Sequence, residues 1–274
     1  MAAFLTTYEP ILRLGAFLGV ALAMAGAEVW APRRARARER RRRWPINIGL
    51  AALDTLFVRL AFPAAVVAGI AAWAATQGIG LFNALPVPEG LAFLLSVLLL
   101  DLVIYGQHII FHYWKPLWRL HRVHHCDLDV DFTTALRFHP VEILLSVAVK
   151  VVAVVALGAP VAAVVVFEIL LNGSAMFNHG NLRLPARIDR VLRAVLVTPD
   201  MHRVHHSVLR AETDSNFGFA LSFWDRLFRT YRDQPAQGHD AMTIGLPAFR
   251  EERDQGLVAL LLNPFRGPER DAGR

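Results

Sequence analysis

Residues 91–125 read LAFLLSVLLLDLVIYGQHIIFHYWKPLWRLHRVHH. The stretch 91–111 is long and apolar enough to cross a bilayer, which takes about 20 residues of helix. It runs directly into two histidine groups. His108 and His112 form HxxxH, and a four-residue step places both on one helical face. His121, His124 and His125 form HRVHH, in which the first histidine meets the others at i+3 and i+4, while Arg122 and Val123 face elsewhere. A membrane helix that ends in clustered imidazoles is the feature from which the rest of the chain is read.

The surrounding composition agrees. The chain has 274 residues, 55% of them hydrophobic, with a mean hydropathy of +0.38; a soluble domain is nearer about 45–50% apolar. Further apolar segments cover 11–30, 46–74 and 143–177. Segment 46–74 contains Asp54 and Arg59, expected to face protein or headgroups. Segment 143–177 is broken at Gly158-Ala159-Pro160, and at about 1.5 Å per residue it is too long for one crossing. A helical hairpin of two short spans is the simpler reading. The expected fold is therefore all-α: a multi-pass transmembrane helical bundle of four to five spans, one of them a hairpin, with a cytoplasmic histidine-rich helical cap. The count is five crossings, or four plus a re-entrant pair.

Charge sets the expected orientation. Residues 33–43 read RRARARERRRR and supply much of the net charge of +6. Such a run could bind nucleic acid. Between two apolar segments it reads as a cytoplasmic loop, with no nucleic-acid partner. Residues 75–90 hold no Lys or Arg and are placed outside; Lys115, Arg119 and Arg122 return the chain inside. The location expected is the cell inner membrane. The first apolar block shows no clear signal-peptide cleavage site and reads as a retained anchor. The whole is taken as one membrane domain, 1–274. Within it, 1–45 is an N-terminal anchor and Arg-rich loop, 46–232 a catalytic region and 233–274 a surface tail. From about 181 the chain is soluble-like, and 248–263 could form an amphipathic surface helix. The single cysteine, Cys126, excludes an intrachain disulfide and is expected to be a small buried residue.

Ten of the eleven histidines lie between positions 108 and 206. His202, His205 and His206 repeat HRVHH, and the remaining two are His139 in RFHP and His179 in NHGN. Helix starts support both repeats: Pro116 precedes the first, and Thr198-Pro199-Asp200 precedes the second, with Thr198 as N-cap and Pro199 at the first helical position. Imidazole is the commonest metal ligand. Eight to ten such groups are too many for one ion, whereas two ions with four or five each fit. His139 and His179 flank the hairpin, so an even number of crossings returns both to the face carrying the others. His239 lies outside these groups, in a Gly-containing loop.

Asp101 and Tyr105 share the face of His108 and His112. An acid inside a span is costly and points to function. Asp101 could orient a ligand imidazole, directly or through Tyr105, or serve a hydrogen bond within the bundle. Asn178, Asn181 and Asn216 are candidates to support ligands or to hold structure. Trp114, Trp118 and Trp224 read as interfacial anchors. Asp127, Asp129 and Asp131 read as a solvated loop.

The pattern resembles the fatty acid hydroxylase/sterol desaturase superfamily. The resemblance covers roughly 44–232 and rests on DLVIYGQHIIFH, LHRVHH, RFHP, NHGN, MHRVHHS and NFGFALSFWDRLFRTY. It implies a membrane oxygenase with two iron ions (zinc as isolated being an alternative occupant) and molecular oxygen as co-substrate, which hydroxylates or desaturates a fatty acyl, sterol or related lipid. It further implies His108, His112, His121, His124, His125, His202, His205 and His206 as ligands, with His139 and His179 matching two further histidine positions. Ile109 departs from the basic residue that often follows the first histidine in relatives. No flavin or nicotinamide fingerprint and no cysteine set for an iron–sulfur cluster is present. An external electron-donor protein is therefore expected as a partner, beside the membrane and the lipid substrate.

Attack on an unactivated C–H bond needs a redox metal and oxygen. Two other classes compete. A metal transporter or sensor would place ligands near the bilayer midplane, whereas these gather at one face. A zinc hydrolase usually has a nearby glutamate as general base; neither HRVHH has one, and Glu142, after His139, is the only close candidate.

Overall fold

A computed structural model describes residues 2–62 and 66–267. The chain is nearly all helical, 68% helix, and its described residues contain no strand beyond three isolated bridges. In order, the first ten helices are α1 (Ala2–Trp30), α2 (Arg40–Ala61), α3 (Val66–Thr76), α4 (Leu81–Ala84), α5 (Glu89–Tyr113), α6 (Lys115–His125), α7 (Pro140–Leu157), α8 (Val161–Asn178), α9 (Ala186–Leu192) and α10 (Pro199–His205). Among the described residues, four stretches are long and apolar enough to cross a membrane: Thr7–Trp30, Glu89–Tyr113, Pro140–Leu157 and Val161–Asn178.

The hairpin is α7 and α8. Gly158 ends α7 in the left-handed region (φ 63°), which costs glycine no Cβ clash. Gly80 approaches the same turn so closely that a Cβ there would lie 2.2 Å from the Gly158 nitrogen. Segment 46–74 is not one helix. It divides into α2 and α3, with Phe62 already out of helical geometry (φ −135°, ψ 82°), because the residue before a proline is biased away from the helix.

Small and branched side chains fill the bundle between α3, α5, α7 and α8: Ala68, Ala71, Leu100, Ile104, Val154, Ala159 and Val164 are buried together. In a bilayer the lipid is as apolar as these residues, so close van der Waals fit holds the helices rather than escape from water. The ends of α1, α5 and α8 and the starts of α2, α6 and α7 meet at the opposite end of the bundle from Gly80 and Gly158. That end carries the histidines.

The arginine run has a structural role there. Glu28, at the end of α1, is fully buried. It accepts from Phe132 N (2.7 Å), Asn181 N (3.0 Å) and Arg40 (2.9 Å). Arg43 is also buried and bonds Asp127 (2.7 Å) and Asp131 (2.6 Å). The expectation of a solvated loop at Asp127 and Asp131 is therefore overturned: both carboxylates are buried because a guanidinium enters between them. Burial alone would raise the Asp127 carboxyl, but Arg43 and Arg137 outweigh it and hold it at about 2. Near the C-terminus the helix is confined to Leu257–Leu262 rather than 248–263. Glu251 and Asp254 form a separate capped turn before it. Leu260 packs with Leu50 and Trp118, while Val258 and Leu262 stay exposed.

Candidate metal centre

Both HRVHH groups are helical, as the spacing requires. α6 starts with Pro116 in its first turn, and α10 starts at Pro199 with the Thr198 side chain accepting from Met201 N. α5 brings His108 and His112 down to them, and the end of α8 brings His179. The nine rings form two groups. One holds His108, His112, His121, His125 and His205; the other holds His124, His179, His202 and His206, and within each group the candidate ligand atoms lie within 4.8 Å of one another. All nine are at most 3% exposed.

The imidazoles meet through Nε2. His108 Nε2 lies 3.2 Å from that of His121 and 3.1 Å from that of His205. His112 and His125 are 3.1 Å apart, His124 and His179 3.0 Å, and His179 and His202 3.1 Å. On four rings the opposite nitrogen is tied outward, whereas Nδ1 of His124, His202 and His206 has no partner among the described residues. Nδ1 of His108 donates to Phe217 O (2.8 Å), that of His205 to Ser215 O (2.7 Å), that of His179 to Ala175 O (2.7 Å) and that of His121 to Glu142 (2.6 Å). A carbonyl can only accept, so in His108, His179 and His205 Nδ1 carries the proton, and in a neutral imidazole Nε2 is then a bare lone pair. Burial does keep these rings neutral: it pushes His121 to about 3 and His179 to about 4. Burial and then neighbouring imidazoles drive His124, His125, His202 and His206 well below their ordinary value. For His205 burial again acts first, and the rings around it, His108 foremost, outweigh its bond to Ser215.

Lone pairs facing each other at this range repel unless a cation lies between them. Metal–imidazole bonds of about 2.0–2.1 Å separate adjacent ligand nitrogens by about 3–3.4 Å, which is the spacing here. The residues fit a pair of metal ions.

His139 is a correction. Its Nδ1 accepts from Val141 N (3.2 Å) as the cap of α7, and its Nε2 bonds Leu261 O (3.2 Å). Both nitrogens are engaged away from the two groups, because capping α7 turns the ring toward the C-terminal segment. Asp101 and Tyr105 make hydrogen bonds within the bundle, the second of the two roles open to Asp101. The Asp101 carboxylate accepts from Trp224 Nε1 (2.9 Å) and Leu221 N (3.3 Å), and Tyr105 bonds Thr230 (2.8 Å). Neither reaches a histidine; both fasten the loop that carries Phe217. Trp118 and Trp224 are buried rather than interfacial. Trp118 lies against His112 and His125, whereas Trp114 is exposed. Asn178 donates to Phe219 O, Asn181 bridges to Arg34, and Asn216 ties Met201 O to Arg232 O.

Sequence reasoning missed Asp225, which accepts from Phe217 N and Gly218 N (2.8 and 2.9 Å) and so shapes the carbonyl that holds His108. The only signal was its place in SFWDRLF after the last histidine group. Asp214, 3.4 Å from His112 Nδ1, was also missed.

Over residues 93–230 the chain matches the family model described as fatty acid hydroxylase. The chain belongs to the fatty acid hydroxylase family. It is 26% identical over 178 residues to the ornithine lipid hydroxylase OlsE of Rhizobium tropici, a match that covers 65% of this chain and 51% of that protein. It is 28% identical over 136 residues to the alkylglycerol monooxygenase of Homo sapiens, covering 48% and 28%. Against the Xenopus tropicalis alkylglycerol monooxygenase it is 28% identical over 142 residues, covering 50% and 30%. The matches thus span about half or less of these relatives' own length. No solved structure matches the chain.

Proposed function

We propose that the chain is a di-iron, oxygen-dependent membrane enzyme that hydroxylates a lipid C–H bond. The observation that carries this is the pair of adjoining, fully buried all-histidine groups at the end of a membrane bundle. His108, His112, His121, His125 and His205 would hold one ion, and His124, His179, His202 and His206 the other. The metals supply reduction of oxygen and oxidation of an unactivated C–H bond, which acid–base side chains cannot do. The protein's own part is to exclude water, and that burial keeps rings such as His121, His124, His179 and His202 neutral. Acceptors on Nδ1 of His108, His179 and His205 fix the tautomer and direction of those rings, and Glu142 behind His121 would make it a stronger donor. Hydroxylation is favoured over desaturation because the relatives are named as a hydroxylase and monooxygenases. Electrons would come from a separate donor protein. The Lys/Arg asymmetry supports a cytoplasmic site on the inner membrane.

The test is metal analysis with Mössbauer spectroscopy on the purified chain, followed by lipid profiling of cells with and without it under isotopic oxygen. Two irons per chain and a lipid product that gains one labelled oxygen are expected. Activity supported by zinc without reductant would instead make the chain a hydrolase, and an alkene product would make it a desaturase.

A further inference from the structure

Outside the metal centre, a cleft of about 430 Å³ opens between α9 and the start of α10. Four arginines and four aspartates line it, together with His239. Several of these charges pair with one another: Arg33 with Asp200 (3.1 Å), and Arg193 with Asp189 (2.6 Å) and Asp233 (2.8 Å). Others are less fully engaged. The Arg190 side chain has no ion-pair or hydrogen-bond partner among the described residues, and Arg183, at the cleft rim, makes one bond to Arg33 O (3.2 Å) and stands 3.9 Å from Asp240.

The buried lining is also incompletely satisfied. His239 is only 6% exposed, yet both its ring nitrogens lack a hydrogen bond. Its Nε2 is 3.7 Å from Asp200, beyond bonding reach. Arg193 Nε and Asp189 Oδ1 are likewise buried without partners. Unsatisfied buried donors and acceptors are costly and call for a ligand or solvent to complete them. Here donors and acceptors stand side by side.

The cleft adjoins a set of exposed apolar side chains on one wall and the metal centre on the other. α9 turns Ile188 and Val191 outward, at 50% and 72% exposed, with Val195 following at 57%. That apolar stripe on a short charged helix is the pattern of an element lying in the bilayer interface. On the other wall, Asp200 precedes His202 by two residues. Arg203 pairs with Asp200 and donates to Gly180 O, next to His179.

We propose that this cleft seats the polar headgroup of the lipid substrate, and that the headgroup is zwitterionic, an anionic oxygen beside an amine. The inference rests on the lipid-oxidising reading above and adds the substrate class. Arg183 and Arg190 receive the anionic oxygens, for which the guanidinium fork is suited. The unpartnered oxygen of Asp189 and the exposed carboxylates of Asp233 and Asp240, each already paired through one oxygen with Arg193 and Arg33 respectively, receive the amine. A balanced lining of four positive and four negative groups disfavours a purely anionic ligand, which would meet the aspartates.

The test is calorimetric binding to the full metal-loaded chain in detergent. The probes are dihexanoyl phosphatidylethanolamine, uncharged dihexanoylglycerol and inorganic phosphate. The doubly substituted Arg183→Ala/Arg190→Ala protein should bind the zwitterionic lipid at least about tenfold more weakly, the loss of charged hydrogen bonds. It should bind dihexanoylglycerol unchanged. Arg187→Ala, on α9 but off the cleft lining, should match the parent, and Asp233→Asn/Asp240→Asn should also weaken the zwitterionic lipid. Equal binding by parent and arginine variant overturns the proposal. So does phosphate binding as tightly as the lipid, which would mark a free-anion site. Metal content is measured on the same samples: two ions retained with unaltered lipid binding defeats this inference alone, whereas absence of metal from the parent defeats the underlying reading.

Discussion

The Glu142 carboxylate stands 2.6 Å from Nδ1 of His121, with both groups buried and on different helices. α7 therefore does more than cross the membrane: its first turn orients a ring of α6 so that Nε2 faces His108. A carboxylate behind a ligand imidazole fixes its tautomer and strengthens it as a donor.

Replacing Glu142 with Gln keeps the side chain's shape and a carbonyl acceptor but removes the carboxyl group. Metal retained against a graded chelator should fall about 10–100-fold, with turnover falling alongside. Helix content should be unchanged by circular dichroism. Chelator resistance equal to that of the parent would assign Glu142 to helix packing alone.

The two groups should empty separately. His205→Ala removes a ring from the five-histidine group, and His124→Ala removes one from the four-histidine group. Each variant should lose about one ion per chain by elemental analysis. His139→Ala should keep both ions and cost only about 1 kcal/mol, the loss of a helix cap. A drop in metal content for His139→Ala equal to that for His124→Ala would mean that the ring leaves α7 to serve as a ligand.

Arg43 lies between two buried carboxylates, Asp127 and Asp131. Arg43→Ala removes the guanidinium that bonds both carboxylates and leaves only Arg137 near Asp127, a class of change that costs up to about 3–5 kcal/mol. Thermal unfolding in detergent should report a markedly lower Tm. The neighbouring Arg41→Ala, at an exposed position, should be nearly silent. Similar Tm values for the two would show that the arginine run serves orientation in the membrane rather than the fold.

Acid should destabilise the metal-free protein. An exposed histidine gains its proton near 6.5, whereas burial holds His121 at about 3 and His179 at about 4. Between those values the unfolded chain binds more protons than the folded one, so stability declines as pH falls below about 6.5. The decline continues until the folded rings themselves take up protons, near 4 for His179 and near 3 for His121. A Tm series across this window should slope downward toward acid; a flat or rising series would mean that the rings are hydrated.

The sequence alone was sufficient for the parts that depend on local spacing. Apolar length marked the spans, and Gly158-Ala159-Pro160 marked the hairpin turn. The i, i+3 and i+4 steps put His121 with His124 and His125, and Thr198-Pro199 opened α10. These follow from helix geometry, which neighbours along the chain determine by themselves. The tertiary structure decided which histidines share an ion. It paired His205 with His108 across 97 residues and His124 with His179 across 55, and so divided each HRVHH between the two groups. It also moved His139 to a cap, gave Asp101 to Trp224, and buried Asp127 and Asp131 on Arg43. Those choices depend on which elements meet at the end of the bundle, and a ring or carboxylate there takes the nearest partner that satisfies it. Residue spacing carries no record of that competition.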